Sequence, residues 1–151
     1  SGKIFLTDKR MTRFTITLDE GVNFVISCLS KMWGGELFVP KIPSYRIIDV
    51  IKAFAGNAKI VNIGIRPGEK IHEEMITSSD SLSTIEFKNY FVILPTAVDL
   101  LSWKVKDFIK KSDDKPGKFC KENFSYNSLN NHEYVSVKQL KKMKEIFEKD
   151  I

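Results

Sequence analysis

The stretch Gly64-Ile65-Arg66-Pro67-Gly68-Glu69-Lys70 concentrates the groups best suited to hold an anion. An arginine leaving a β-branched run, followed by Pro-Gly and an expected helix start at Glu69, aims a planar guanidinium and free helix amides at one point. That geometry suits a diphosphate. Glu69 follows Arg66 by three residues and is placed to accept hydrogen bonds from hydroxyls of the same ligand, such as a ribose. A solvated Arg/Glu/Lys surface turn would share this local sequence, and the GxxxxGKS/T spacing of a P-loop is absent. A second cation, Arg13 in Arg10-Met11-Thr12-Arg13-Phe14, stands just ahead of a capped helix and is positioned to neutralise another phosphate oxygen. A solvent-facing arginine before a helix is the plainer alternative there.

Groups for covalent or acid–base chemistry are sparse. His72 falls on the helix expected from Glu69 to about Ile76, where packing is a more natural role than proton transfer, and His132 lies in an Asn-rich turn. Neither histidine has metal-ligand spacing to another ligand. Cys28 and Cys120 belong to no CxxC or Cys/His cluster and read as two reduced thiols, with no disulfide framework. Tyr134-Val135-Ser136-Val137-Lys138 matches a Tyr-x-x-x-Lys spacing by coincidence, and no GxGxxG or GxxGxxG occurs in the chain. No catalytic residue is assigned.

Several elements must position these groups. Lys3-Ile4-Phe5-Leu6 reads as a strand with no preceding turn or cap, which suggests a fragment. Thr17-Leu18-Asp19-Glu20 is a capping box, so a helix starts there, with Leu18, Val22, Val25, Ile26 and Leu29 on one apolar face and Gly34-Gly35 as its stop. Leu37-Phe38-Val39 reads as a strand. A second helix is expected from Ser44 as cap, burying Ile47, Ile48, Ile51 and Phe54 before Gly56. Lys59 to Ile65 and Tyr90 to Leu94 complete the strands, and the alternation predicts an α/β layer. Ser136-Val137-Lys138-Gln139 caps a final helix carrying Val137, Leu140, Met143 and Phe147 on one side.

This order predicts three regions. Residues 1–96 form a compact α/β unit, 97–123 a lysine-rich linker or arm, and 124–151 a tail with a terminal helix. The middle region earns its description from Lys104 to Lys121, which holds seven lysines against three aspartates, with Asp113-Asp114-Lys115-Pro116-Gly117 as a turn. The chain has 151 residues, 42% hydrophobic and 11% aromatic, enough for one core or one core with an appendage. A formal charge of +5 leaves nucleic acid, phosphorylated metabolites and acidic lipid open as partners. Aromatic residues are not interleaved with the lysines as a nucleic-acid stacking platform requires, so a basic nucleic-acid-binding module is the weaker alternative. No apolar run reaches the roughly 20 residues that cross a bilayer, and no signal-peptide core is present. The expectation is a cytoplasmic protein with neither nucleic-acid nor membrane partner.

Four motifs, in order, carry a family resemblance. Thr7-Asp8-Lys9-Arg10-Met11-Thr12-Arg13-Phe14, Thr17 to Val22, Gly35 to Ser44, and Gly64 to Glu73 resemble the C-terminal portion of inverting UDP-N-acetylglucosamine 4,6-dehydratases. These are extended short-chain dehydrogenase/reductases of polysaccharide and flagellin-sugar biosynthesis. Phe124 to Ser128 and Val135 to Leu140 are similar to the closing segment of the same enzymes, so the resemblance covers nearly the whole chain. It implies an α/β substrate-binding part of a Rossmann-type enzyme, with the N-terminal cofactor domain absent.

By that resemblance Arg13 and Arg66 grip the diphosphate of a UDP-sugar and Glu69 binds its ribose. The family uses tightly held NADP(H) as a temporary hydride acceptor, and its Gly-rich turn and Tyr-x-x-x-Lys pair are not matched here. The implied partners are a UDP-sugar, the N-terminal Rossmann domain of the parent enzyme and a possible second copy. The chain alone is expected neither to hold NADP(H) nor to turn over. A related UDP-sugar epimerase or dehydratase/epimerase shares the same nucleotide contacts.

Overall fold

The computed structural model describes residues 2–56, 58–97, 102–110 and 115–147. In chain order the elements are strands β1 (Lys3–Leu6) and β2 (Thr12–Phe14), helix α1 (Leu18–Lys31), strands β3 (Leu37–Pro40) and β4 (Ser44–Arg46), helix α2 (Ile47–Ala55) and strand β5 (Lys59–Asn62). Then come β6 (Glu74–Ile76), a 3-10 helix (Ser78–Ser83), β7 (Thr84–Glu86), β8 (Tyr90–Ile93), α3 (Val105–Lys110), β9 (Lys118–Phe119), β10 (Tyr126–Asn127) and α4 (Val137–Phe147). The fold is mixed α/β. The elements divide between two compact units, each assembled from separated stretches. The sequence had suggested one unit ending near residue 96; long-range pairing groups the chain differently.

One unit comprises Ser1–Thr15, Ile42–Glu73 and Asn127–Ile151. β1 pairs in parallel with β5, from Lys3 opposite Lys59 to Leu6 opposite Asn62. β2 pairs antiparallel with β4, setting Arg13 opposite Tyr45. Helix α2 packs on α4, and Leu6, Met11, Ile51, Ala53 and Leu140 are buried. The expected start of α2 at Ser44 is corrected: Ser44 is a buried strand residue, and Arg46 is the N-cap without a side-chain cap bond. Ser44 is held in that role because its amide donates to the Glu133 carbonyl and its own carbonyl accepts from Val135. Of the expected buried face, Ile51 is buried and Phe54 is exposed. The capping box of α4 forms as read, with the Ser136 amide donating to Gln139 Oε1 at 2.8 Å and the Gln139 amide to Ser136 Oγ at 3.3 Å.

The other unit comprises Ile16–Lys41 and Glu74–Tyr126. Its four-stranded sheet has the order β3-β8-β7-β9, and each strand pair within it is antiparallel. Parallel layering therefore does not extend here. Ile85, Phe87, Val92, Leu94 and Phe108 form the core, with Trp33 and Trp103 packed against it. The expected linker is corrected by the same residues. Phe108 of α3 is buried with its ring 5.0 Å from that of Trp103, and β9 continues the sheet. Gly117 lies so close to the core that a Cβ there would stand 2.6 Å from both Ile85 and Phe87. The proposed turn falls partly on Asp113 and Asp114, outside the described residues.

Helix α1 is capped as its sequence dictates: Glu20 N–H donates to Thr17 Oγ1 at 3.2 Å and Thr17 N–H to Glu20 Oε2 at 2.8 Å. It ends at Lys31 with an extended cap at Met32, so Gly34 and Gly35 turn the chain after the helix without capping it. None of its 14 residues is buried. Among the described residues no helix is long and apolar enough to cross a membrane.

A candidate anion-binding turn

Arg66 to Glu69 forms a hydrogen-bonded β-turn. The Glu69 amide donates to the Arg66 carbonyl at 3.1 Å, Pro67 occupies the second position, and Gly68 has φ of 80° in the third. Proline then positive-φ glycine is the pattern of a type II turn, whose third position costs any residue with a Cβ. The Arg66 amide also donates to Glu69 Oε2 at 3.2 Å, and Glu69 Oε1 accepts from the Thr7 hydroxyl at 3.4 Å. Arg66 is exposed, and among the described residues its guanidinium has no hydrogen bond or ion pair. The turn thus brings Arg66 and Glu69 together and leaves one cationic fork facing water.

No helix follows. Residues 69–73 are irregular and Glu74 begins a strand, so the expected helix over Glu69 to Ile76, and the helix amides it would have aimed at a ligand, are corrected. The carbonyls that such a helix would use internally are occupied from a distance. Arg13 NH1 donates to Ile71 O at 3.0 Å and NH2 to Lys70 O at 3.0 Å, while the Thr12 amide donates to Ile71 O at 3.1 Å.

Arg13 is correspondingly engaged with the chain's own backbone. NH1 also donates to Thr12 O at 2.7 Å, NH2 reaches Met11 Sδ at 3.9 Å, and Nε lies 3.8 Å from Glu73 Oε1. A guanidinium has five N–H donors; NH1 and NH2 use theirs in hydrogen bonds here, while Nε has only the longer ion-pair contact to Glu73. Arg13 contributes positive charge near the turn and fastens the segment that follows it.

Beneath this segment lies a polar network that local sequence did not reveal. Thr12 and Ser128 are buried, their hydroxyl oxygens 2.6 Å apart, and Thr12 Oγ1 is 2.8 Å from His72 Nδ1. Ser128 Oγ accepts from the Glu73 amide at 2.9 Å, while the Ser128 amide donates to Glu73 O at 2.8 Å. With Ser128 Oγ accepting from the Glu73 amide, one arrangement that uses both hydroxyl protons runs from Ser128 to Thr12 and from Thr12 to His72 Nδ1. That order corresponds to the imidazole tautomer with its proton on Nε2. The pKa of His72 is lowered, first by burial and then by Arg10 and Arg13. Packing, as expected, is the role of His72, though on an irregular segment rather than a helix. The only advance signal was Thr12 between two arginines on a short strand; Ser128, 116 positions away, gave none.

Around this network Asp8 is held at about 2 by the Arg10 guanidinium. Tyr45 is pushed up by burial and by Glu73, whose other carboxylate oxygen accepts from the Phe14 amide at 2.7 Å. Among the described residues no His/Cys/Asp/Glu group could hold a metal. Both cysteines are free thiols, and Cys120 is raised to about 11 by burial and then Glu86. Tyr134 donates its hydroxyl toward the carbonyls of Ser128 at 2.7 Å and Leu129 at 3.0 Å, so it does structural work in the tail.

Residues 1–95 match the family model described as polysaccharide biosynthesis protein. The chain belongs to this family. It is 48% identical over 137 residues to the UDP-N-acetylglucosamine 4,6-dehydratase (inverting) of Campylobacter jejuni serotype O:2, covering 89% of this chain and 40% of that protein. The UDP-glucose 4-epimerase of Rickettsia canadensis is 32% identical over 102 residues, covering 65% of this chain and 30% of that protein. The X-ray structure of Pen from Bacillus thuringiensis superposes with a TM-score of 0.71 at 28% identity, covering 97% of this chain and 42% of that one. The chain therefore spans about two fifths of the length of the dehydratase relative it matches. The resemblance read from the four motifs is borne out, and the family is one of nucleotide-sugar enzymes.

Proposed function

We propose that this chain forms the UDP-binding side of an inverting UDP-N-acetylglucosamine 4,6-dehydratase of the extended short-chain dehydrogenase/reductase type, serving glycan or polysaccharide sugar biosynthesis in the cytoplasm. The observation that carries the proposal is the Arg66–Glu69 turn, which presents an unengaged guanidinium beside a carboxylate within one of the four motifs that carry the resemblance. Arg66 grips the diphosphate through charge-assisted, bidentate hydrogen bonds. Glu69, whose carboxylate holds only the long Thr7 bond and the Arg66 amide, retains lone pairs for the ribose hydroxyls. Arg13 acts with them as a cation whose NH1 and NH2 donors are already engaged, and it positions the Lys70–Ile71 backbone rather than touching phosphate.

NADP, the cofactor of such an enzyme, supplies reversible hydride transfer when bound. The residues described here do not fit a nicotinamide site, because the sole tyrosine with the matching lysine spacing, Tyr134, is engaged with two backbone carbonyls. The parent enzyme's Rossmann domain would carry that chemistry.

Calorimetric titration with UDP and with inorganic diphosphate tests the proposal. Arg66→Ala should weaken UDP binding about ten- to a hundredfold, the equivalent of losing one charge-assisted contact of roughly 1.5–3 kcal/mol. Arg66→Lys should recover part of that loss, and Glu69→Ala should weaken UDP while leaving diphosphate nearly unchanged. Equal affinities of wild type and Arg66→Ala for UDP would return the turn to a solvated surface.

A further inference from the structure

Glu69 is tethered at both of its carboxylate oxygens. Oε2 accepts from the Arg66 amide at 3.2 Å, inside the turn, and Oε1 accepts at 3.4 Å from the hydroxyl of Thr7, a residue 62 positions earlier. The first bond follows from the turn itself. The second follows from the parallel pairing of β1 with β5: Leu6 stands opposite Asn62 and the Ile63 amide donates to Leu6 O at 2.9 Å, so the two strands end side by side. Thr7 is the first residue beyond β1, and the chain leaving β5 passes through Gly64 into the Arg66–Glu69 turn. Residues just past the carboxyl ends of parallel strands are the ones that surround ligands in α/β layers.

The Thr7 hydroxyl has two acceptors within reach. The Asp8–Met11 turn, with the Met11 amide donating to Asp8 O at 3.4 Å and the Arg10 amide to Asp8 Oδ1 at 2.7 Å, brings the buried Met11 back against Thr7, its sulfur 3.1 Å from the hydroxyl. A hydroxyl has one proton, a thioether is a weak acceptor and a carboxylate a strong one. A valine would fill the same half-buried place. What the hydroxyl adds over that isostere is orientation of the Glu69 carboxylate.

We propose that Thr7 is a positioning residue that makes the site selective for a ribonucleotide over its 2′-deoxy counterpart. The inference rests on the reading of Glu69 as the ribose acceptor, and Thr7 itself touches no ligand. A ribose diol offers a carboxylate two O–H donors, one for each oxygen, whereas a 2′-deoxyribose offers one. Both bonds form together only when the carboxylate plane is fixed. The Arg66 amide restrains Oε2 and leaves the group free to turn about that contact; Thr7 restrains Oε1. Each carboxylate oxygen has two lone pairs, so both remain open to the diol. A carboxylate ordered in advance spares the ligand the cost of ordering it.

Titration of the 151-residue chain with UDP, 2′-deoxy-UDP and inorganic diphosphate tests the inference. The ratio of UDP to 2′-deoxy-UDP affinity, taken on one preparation, does not respond to a general loss of folded protein. Wild type should prefer UDP. Thr7→Val should lower that preference roughly three- to tenfold, as expected when the ligand must order a side chain itself, and leave diphosphate affinity unchanged. Thr7→Ser should retain the wild-type ratio. Met11→Leu leaves the Thr7 proton to Glu69 alone, so its ratio should equal or exceed that of wild type, and this variant reports even where the valine variant fails to fold. A wild-type ratio in Thr7→Val, or a collapsed ratio in Met11→Leu, overturns the inference. Glu69→Ala separates it from the reading beneath it. If that variant loses the preference while Thr7→Val keeps it, only the role of Thr7 falls; if Glu69→Ala keeps it, or wild type shows none, the ribose reading of Glu69 falls and the inference with it.

Discussion

Replacing Arg13 by alanine should destabilise the fold far more than it weakens direct contact with an anion. Three backbone carbonyls lose a charged donor at once: Thr12 O at 2.7 Å, Ile71 O at 3.0 Å and Lys70 O at 3.0 Å. A hydrogen bond to a charged group contributes about 1.5–3 kcal/mol net, but water can reach these partly exposed carbonyls, and neighbouring losses do not add. The expected total is about 3 kcal/mol. For a chain of this size that corresponds to a fall in Tm of roughly 6–12 °C. Arg13→Lys should recover little of it, since an ammonium cannot span the forked geometry of three separated carbonyls. Thermal unfolding followed by circular dichroism measures the loss, and titration of the folded variant with inorganic diphosphate measures the remainder. An unchanged Tm for Arg13→Ala accompanied by loss of diphosphate binding would refute the reasoning, because it would make Arg13 a direct ligand of phosphate.

Three further outcomes are expected. Because the pKa of His72 is lowered in the folded chain, the unfolded state takes up the proton first, so its stabilising contribution is complete above the ordinary value of 6.5 and is lost as pH falls below it. Urea midpoints between pH 7 and 5 should fall more steeply for wild type than for His72→Asn, and parallel slopes would count against the neutral tautomer. Gly117→Ala should cost about 1–3 kcal/mol by overpacking, since its Cβ would stand 2.6 Å from Ile85 and Phe87, and a wild-type Tm would disprove the close approach. Finally, the purified 151-residue chain should form no 4-keto sugar from UDP-N-acetylglucosamine with NADP present; measurable turnover would show that the cofactor chemistry resides in this chain.

What was legible in the sequence was what is decided within a few residues. The boxes at Thr17–Glu20 and Ser136–Gln139 form as read because both partners lie in one helical turn. The Arg66–Glu69 turn was legible for the same reason, with proline and glycine fixing its dihedrals. The segment after it was misread because its backbone partners are remote. Arg13 and Thr12 take the carbonyls of Lys70 and Ile71, and Ser128 takes that of Glu73, which leaves no ladder for a helix. Composition misled in a similar way after residue 96. Lysines dominate the count, yet the fate of the segment is set by Trp103, Phe108 and Gly117 against the sheet.

On the proposed function, the two arginines that looked equivalent in sequence divide one task. A diphosphate site needs a guanidinium with free donors and a backbone that holds it in place, and a single residue cannot supply both. Arg66 projects from a turn whose conformation proline and glycine determine, so its fork is available without the chain having to order itself on binding. The segment beyond that turn has no helix or sheet of its own through Glu73. It is held instead by Arg13 and by the Ser128–Thr12–His72 hydrogen-bonded chain. A half-satisfied version of this network would be costly, because Thr12 and Ser128 are buried. Substitutions at Thr12 or Ser128 should therefore loosen the Arg66 turn without touching the ligand, an effect that a search confined to exposed charges would miss.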